Sequence, residues 1–355
     1  MKKILYIKPA NSSFILNDQK ILEKHFDVRS YLISPKKSGL QILTGLFKLI
    51  VFILGNAGNT KVILTWFGDY HAAVIVCCGR LLHIKVVIFA GGQEAIFYPE
   101  LKKGVYYKKY RGMFVKYALR NADLIIPNHQ SLVYHENFYY DPKGKKDGIK
   151  YYIPDLKTRI AVLPNGIDTT KFFRDASIKK NPGQVLTVGT MHSIYDFINK
   201  GFDLFIRVAE RNPDLEFVLI GIRKEFLPWV EENYHVSRIR NLELIFSFCP
   251  DDVLFKQYNT AKVFVQASIT EGMPNTISEA MLCECIPVGS NVNGIPDAMG
   301  GTGIIIQTRE VGEVGKAIHL ALAMNSGALA RSFVTKYFSL ENREKALTII
   351  LSELC

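Results

Sequence analysis

The chain has 355 residues, enough for two hydrophobic cores, because a single core stops growing at roughly 250–300 residues. With 48% apolar and 22% charged residues, and neither a fixed-period repeat nor a biased tract, it excludes disordered, collagen-like and solenoid architectures. The net charge of +11 is unevenly held: residues 1–180 carry 29 Lys and Arg against 13 Asp and Glu, and the remainder 15 against 20, so the halves face different partners.

The opening "MKKILYIKPANSS" has two lysines before an apolar run, but the run breaks at Lys8, so it reads as a first strand and not as a secretory leader. Strand-length apolar runs then recur at Val28 (VRSYLI), Lys61 (KVILTWF), Lys85 (KVVIFA), Asp123 (DLIIPN) and Arg159 (RIAVLPNG). A second series begins at Gln184 (QVLTVG) and continues at Leu215, Leu242, Lys262 (KVFVQAS), Cys285 and Gly303. Helix-length amphipathic segments separate them, which predicts an α/β fold: two Rossmann-like domains with parallel sheets, facing across a cleft. The polar stretch Pro164–Gly183, bracketed by Pro and Gly, reads as the connection. The expected domains are 1–168 and 183–335, with 336–355 a closing helix, capped by Ser339, that packs back toward the first domain. In open parallel sheets, ligands bind beyond the carboxyl ends of the strands, so the loops after strands are where a site belongs.

Leu40–Leu54 (LQILTGLFKLIVFIL) is the one long apolar run; at fifteen residues with Lys48 inside, it is expected not to cross a bilayer, which takes about 20. The cysteines (Cys77, Cys78, Cys249, Cys283, Cys285, Cys355) form no CxxC pair, suggesting neither zinc nor disulfides, and a reducing cytoplasm. Leu101–Arg120 carries Lys102, Lys103, Lys108, Lys109, Arg111, Lys116 and Arg120 without one acid, interleaved with Tyr106, Tyr107, Tyr110, Phe114 and Tyr117. A solvated helix face, nucleic acid and a membrane surface are the three readings. No nucleic-acid motif accompanies it, and basic and aromatic residues suit anionic headgroups, so an anionic membrane surface is the expected partner and nucleic acid is not.

The second series contains the stretch that points to chemistry. "EGMPNTISE" follows the strand at Lys262 and places Glu271 in the loop and Glu279 eight positions on. A helix starting near Asn275 or Thr276 would offer unpaired N–H groups and a partial positive charge, a ready site for phosphate. Carboxylates beside a diphosphate are repelled by it, so they would accept hydrogen bonds from neutral hydroxyls flanking it. Hydroxyls on both sides of a diphosphate describe a nucleotide sugar. The competing reading of Thr276 and Glu279 is a Thr-x-x-Glu capping box, worth ~1 kcal/mol and needing no ligand. Gly189 ends the first strand of the second domain and permits close approach, and Lys200, read as lying at the start of the following helix, could reach a diphosphate.

"SITEGMPNTISEAMLCECIPVGSNVNGIPDAMGGTG" resembles the signature of family 4 of the retaining glycosyltransferases with GT-B architecture (glycosyl transferases group 1), supported by "VLPNGID", "KGFDLFI", "FVLIG" and "ALRNADLIIPN" in the family's order. The resemblance implies that Glu279 holds the ribose hydroxyls and Glu271 those of the donor sugar. Gly272, Met273, Asn275 and Thr276 meet sugar and phosphate, with Pro274 shaping the turn. Lys200 meets the diphosphate, making Glu271 and Lys200 the catalytic pair. Gly221, Phe248, Cys249 and Pro250 border the base, and Gly189 and Thr190 lie beside the phosphates. On the acceptor or donor-sugar side stand Asn11, Ser12, Asp69, His71, Gly91, Gly92, Gln93 and Glu94, although capping of the next helix is the readier role for Asp69. The family pattern is broken twice. Thr190 stands where an Arg is usual, with His192 a substitute, and Gly91–Glu94 stand where many members have a histidine; there the glycine pair suggests backbone contact with the ligand, and Gln93 or Glu94 the side chain.

The implied activity is transfer of one hexose, with retention and without a metal, from a UDP- or GDP-linked sugar to a glycan or lipid-linked saccharide. That suits synthesis of surface polysaccharide, such as lipopolysaccharide, or of glycolipid, on the inner face of the cytoplasmic membrane. No metal site and no cofactor beyond the nucleotide sugar are expected. The alternatives are a sugar-nucleotide epimerase or hydrolase of the same architecture and a non-catalytic binding relative. A nicotinamide dehydrogenase is disfavoured by the absence of GxGxxG after any strand.

Overall fold

The computed structural model describes residues 1–33, 39–246 and 249–354; Phe248 and Cys355 lie outside them. The chain divides into two compact units. The first comprises Met1–His135, Lys146–Gly166 and Leu340–Cys355, and the second Glu136–Lys145 and Ile167–Ser339.

Unit 1 is built on a parallel sheet of β1 (Lys3–Lys8), β2 (Asp27–Leu32), β3 (Thr60–Trp66), β4 (Lys85–Ala90), β5 (Leu124–Pro127) and β6 (Arg159–Ile160), in the order β2-β1-β3-β4-β5-β6. Strands buried on both faces read as unbroken apolar runs; β3 and β4 are of this kind, with Val62, Ile63, Leu64, Val87, Ile88 and Phe89 fully buried. Four helices matter below: α1 (Ser13–His25), α2 (Gly39–Asn56), α3 (Tyr70–Leu82) and α4 (Lys109–Asn121). The helix Leu340–Leu354 completes this unit, with Leu347 and Leu351 in its core; Ser339 stands just before it in extended backbone.

Its Arg343 is also buried. The guanidinium clasps Asp18 through two bonds of 2.5 and 2.7 Å and donates to the carbonyls of Leu163 and Pro164, while Trp66 Nε1 donates to the same carboxylate at 3.1 Å. An ion pair removed from water survives only when its remaining polar atoms are satisfied, and here they are shared with backbone and indole.

Helix α2 runs 18 residues at mean hydropathy 1.6 with 11% of it buried, so it is long and apolar enough to cross a membrane by length and composition, longer than the run read from the sequence. The helix extends three residues beyond the apolar run. It is the crossover from β2 to β3, and it seats Leu49 and Ile53 against the protein while Leu40, Leu43, Phe47, Val51 and Leu54 face outward.

Unit 2 holds β7 (Asn181–Val188), β8 (Glu216–Ile222), β9 (Leu242–Phe246), β10 (Ala261–Gln266), β11 (Ile286–Ser290) and β12 (Ile304–Ile306), all parallel in the order β9-β8-β7-β10-β11-β12. This is the doubly wound order, whose direction reverses between β7 and β10. The stretch read as a connection belongs to this unit from Ile167 onward: Phe172 is buried edge-on to Tyr258, and β7 begins at Asn181.

Candidate functional site

The reversal between β7 and β10 splits the crossovers to opposite faces and leaves a crevice at the carboxyl ends of those two strands. Three segments meet there. After β7, Gly189 leads through Thr190 and His192, both exposed, into α5 (Ile194–Asn199). Lys200 closes this short helix and does not open the next; Gly201, at φ +74°, turns the chain into α6 (Phe202–Arg211). A Cβ on Gly201 would lie 2.3 Å from the Ala267 carbonyl, so glycine is what lets Lys200 come up against the end of β10.

After β10 the chain runs through Ser268, Glu271 and Gly272 to α7 (Asn275–Leu282). Lys200 Nζ donates to Glu271 Oε1, with the two side chains 24% and 16% exposed. Ser268 donates to the same oxygen at 3.2 Å, Gln266 donates to Ser268 at 2.7 Å, and Thr276 donates to Gln266 at 3.0 Å. This chain of side chains fixes the carboxylate and leaves Oε2 without a partner among the described residues.

The loop backbone is pinned by Asn293, whose Oδ1 accepts from Glu271 N at 3.1 Å and Thr270 Oγ1 at 3.3 Å, while Gly294 N donates to Gly272 O at 2.9 Å. Ile269 N donates to Asn199 O at 2.8 Å, tying α5 to the same loop. Sequence reasoning missed Asn293, Asn199, Gln266 and Ser268. The legible signal was the polar pair Gln266 and Ser268 in an otherwise apolar run; the contacts of the two asparagines are too distant in sequence to read.

The capping-box reading of Thr276 and Glu279 is not what the structure shows. Helix α7 begins at Asn275, after Pro274 and two residues before a Thr276 cap would start it, and has no side-chain N-cap, so Thr276 lies inside the helix and turns its hydroxyl to Gln266. Glu279 points instead to Tyr258, whose hydroxyl donates to Oε2 at 3.2 Å. Burial pushes the Glu279 carboxyl up to about 7, against the Tyr258 bond and the positive charge of Lys171, which both lower it. A half-buried carboxylate with no ion-pair partner among the described residues is costly to a fold and suits one that awaits hydroxyl donors.

Gly221, at φ +121°, lets β8 pass over the end of β7: a Cβ there would lie 1.4 Å from the Gly189 carbonyl. Met273 is buried in the unit core. Cys249 and Pro250 lead into the helix Asp251–Thr260, and Phe248 before them lies outside the described residues.

Unit 1 has its own crevice at the corresponding reversal, between β1 and β3. A cavity of about 570 Å³ there is lined by Pro9, Phe67–His71, Gln93, Glu94, Lys108 and Arg111, and by Ile42 and Leu46 of α2. Asp69 occupies the cap position of α3, accepting from Tyr70 N at 2.8 Å, and pairs with both Nε and Nη2 of Arg111 at 3.0 and 2.6 Å. His71 Nε2 donates to the Trp66 carbonyl at 3.0 Å. Gln93 Oε1 accepts from Gly104 N at 3.0 Å.

The sequence reading of Gly91–Glu94 changes here. Glu94 is fully buried and accepts from Gly68 N at 2.7 Å and Gly92 N at 3.1 Å, so it buttresses the loops from beneath; burial pushes its carboxyl up. Gly91 has a local reason as well, since a Cβ would lie 2.4 Å from the Phe67 ring. Asn11 and Ser12 lie between β1 and α1, Ser12 at the cap position without a side-chain bond.

Residues 182–324 match the family described as Glycosyl transferases group 1. The serotype-specific mannosyltransferase WbdA of Escherichia coli is 34% identical over 92 residues, 26% of this chain and 11% of that protein. One subunit of the human phosphatidylinositol N-acetylglucosaminyltransferase is 26% identical over 178 residues, 48% of this chain and 35% of that one. The chain thus spans about a tenth to a third of these relatives. Among solved structures, Anabaena HepE in complex with UDP and glucose superposes with a TM-score of 0.72 at 15% identity, over 99% of this chain and 100% of that one. Residues 182–324 are thus similar to Glycosyl transferases group 1, and by fold the chain is of the GT-B kind, with two Rossmann-like halves.

Proposed function

We propose that the chain is a glycosyltransferase that moves one sugar from a nucleotide-diphosphate sugar, UDP- or GDP-linked, to a glycan or lipid-linked saccharide. The observation that carries this reading is the Lys200–Glu271 pair at the strand-order reversal of unit 2, beside an uncapped helix start and with Glu271 Oε2 open to a ligand. The match of residues 182–324 to Glycosyl transferases group 1, the sugar-transferring relatives and the UDP and glucose held by HepE support it.

In this reading Lys200 and the first-turn N–H groups of α7 face the diphosphate as negative charge builds on it during bond cleavage. Fixed donors aimed at developing charge commonly supply the largest catalytic contribution. Glu271 Oε2 and Gly272 accept and border the donor sugar, Glu279 takes the ribose hydroxyls, and Gly221, Cys249 and Pro250 border the base. We assign no general base to the protein. Retention of configuration, metal independence and a place on the inner face of the cytoplasmic membrane belong to the same proposal and rest on the family resemblance and the basic first half.

The test is a product assay with UDP- and GDP-sugars and saccharide acceptors. The expected products are nucleoside diphosphate and a new glycoside, and Lys200→Ala should lower turnover by a factor on the order of ten to a thousand. An altered sugar without transfer would identify an epimerase, and full turnover in the variant would remove Lys200 from the site.

A further inference from the structure

We propose that unit 1 binds an amphipathic lipid phosphate as acceptor, with the sugar-bearing end in the crevice after β3, the phosphate at Lys108 and Arg111, and the hydrocarbon chain in an apolar groove between α2, α3 and α4; this names the acceptor class for the transferase reading above and rests on it. The groove has a volume of about 880 Å³ and is lined by Leu54, Val74, Leu81, Tyr110, Met113 and Phe114 among others, all in unit 1. Leu81, Tyr110 and Met113 are 80%, 74% and 59% exposed, an arrangement of large side chains that water disfavours and a hydrocarbon would cover.

Groove and crevice open on the same two helices. Along α2, Ile42 and Leu46 line the polar crevice and Ile50 and Leu54 the groove. Along the start of α4, Lys108 and Arg111 face the crevice while Tyr110 and Met113 face the groove. Tyr70 of the crevice and Phe114 of the groove meet edge to face at 5.3 Å, so the linings of the two spaces touch there. A molecule occupying both is polar at one end and apolar at the other.

Charge selects the group between. Lys108 and Lys109 are exposed, and no acidic partner is found for either among the described residues; Arg111 is held in a fixed orientation by Asp69. A second copy of this chain, docked on the groove by a two-fold axis, would bring these same cations toward one another. A phosphate at the junction of chain and head meets them favourably instead.

The test is calorimetric titration of the full chain with farnesyl phosphate, farnesol and glucose 1-phosphate. Farnesyl phosphate is expected to bind, and glucose 1-phosphate at least tenfold more weakly. Leu81→Glu and Met113→Glu, at exposed positions, should each weaken farnesyl phosphate tenfold or more. Lys108→Glu should do the same for farnesyl phosphate and leave farnesol unchanged. An unchanged melting temperature and unchanged UDP or GDP binding in the three variants would show that they fold. Wild-type farnesyl phosphate binding in all three variants would overturn the proposal. So would binding to anionic phosphatidylglycerol vesicles that farnesyl phosphate does not compete with, which would mark a membrane-docking face. A dimer that Met113→Glu dissociates, with no farnesyl phosphate binding, would overturn it in favour of a self-association face. If lipid binding holds while no sugar is transferred, the transferase reading fails and takes the acceptor role with it, and the lipid-phosphate site alone stands. If transfer to soluble saccharides proceeds without lipid binding, the reverse is true.

Discussion

Replacing Glu279 by Gln should make the unliganded protein more stable at high pH while weakening its hold on the nucleotide. Burial raises the carboxyl from its ordinary 4.5 to about 7, while Tyr258 donates to it and Lys171, which would offset the charge, is engaged with Asp251 at 2.9 Å. The folded state therefore binds more protons than the unfolded chain between those two values, and stability falls as pH rises through that window. At about 1.4 kcal/mol per pH unit the loss comes to about 3 kcal/mol, complete above roughly pH 8. Gln keeps the shape and the acceptor for Tyr258 but carries no charge. Glu279→Gln should be indistinguishable from wild type near pH 4, below the window, and melt about 5–10 °C higher at pH 8.5. On the proposed reading the ribose hydroxyls would lose a charged acceptor worth ~1.5–3 kcal/mol, which raises the nucleotide Kd by about 10- to 100-fold. Thermal melts of both proteins from pH 4 to 8.5, with nucleotide titrations at pH 8, measure the two effects. Parallel pH profiles, or a variant less stable than wild type at pH 8.5, would refute the reasoning.

Other substitutions test the scaffold beneath the site. Asn293→Ala removes the acceptor for Glu271 N and Thr270 Oγ1 and should cost about 1–3 kcal/mol in denaturant unfolding, with a higher donor KM. Gly221→Ala forces a methyl group onto the Gly189 carbonyl at a positive φ, and should cost about 4 kcal/mol or more, read as loss of soluble protein or of the unit 2 unfolding transition. Arg343→Ala strands Asp18 in the core of unit 1 and should cost about 3–5 kcal/mol, much of it recovered when Asp18 is made apolar as well.

The strands were legible because parallel strands covered on both faces need apolar residues at successive positions, and all the runs read from the sequence pair in one of the two sheets. Where burial is partial the reading loosened. The run at Arg159 pairs over two residues only, β7 starts three residues before its apolar run, and α2 extends past Leu40–Leu54 at both ends. The site was legible as positions and not as contacts. Glu271 stood out in the loop after a strand and Lys200 beside a glycine ahead of a helix, yet nothing local shows that 71 residues of chain bring them into one ion pair. The Thr276-x-x-Glu279 spacing misled because a capping box requires Thr outside the helix, and Pro274 at the cap position moves the start by two residues. Glu94 misled in the opposite sense: an acid after a glycine pair looks available, but its two oxygens are taken by backbone N–H groups that precede it. The Arg343–Asp18 pair, 325 positions apart, left no local trace at all.

The shared oxygen of Glu271 shows how the site can be ready before a ligand arrives. A lysine with a quarter of its side chain exposed needs a counter-charge, and Glu271 Oε1 supplies it. A diphosphate carries more negative charge than one carboxylate, so on the proposed reading it draws Lys200 toward itself. The carboxylate does not then swing free, because Ser268, Gln266 and Thr276 hold it from the other side and Asn293 holds its backbone. Only the lysine has to move, by rotation of a flexible stem whose base is fixed by Gly201. The loop, the helix start and Oε2 keep their places, so the cost of reorganisation at the moment of reaction stays confined to one side chain.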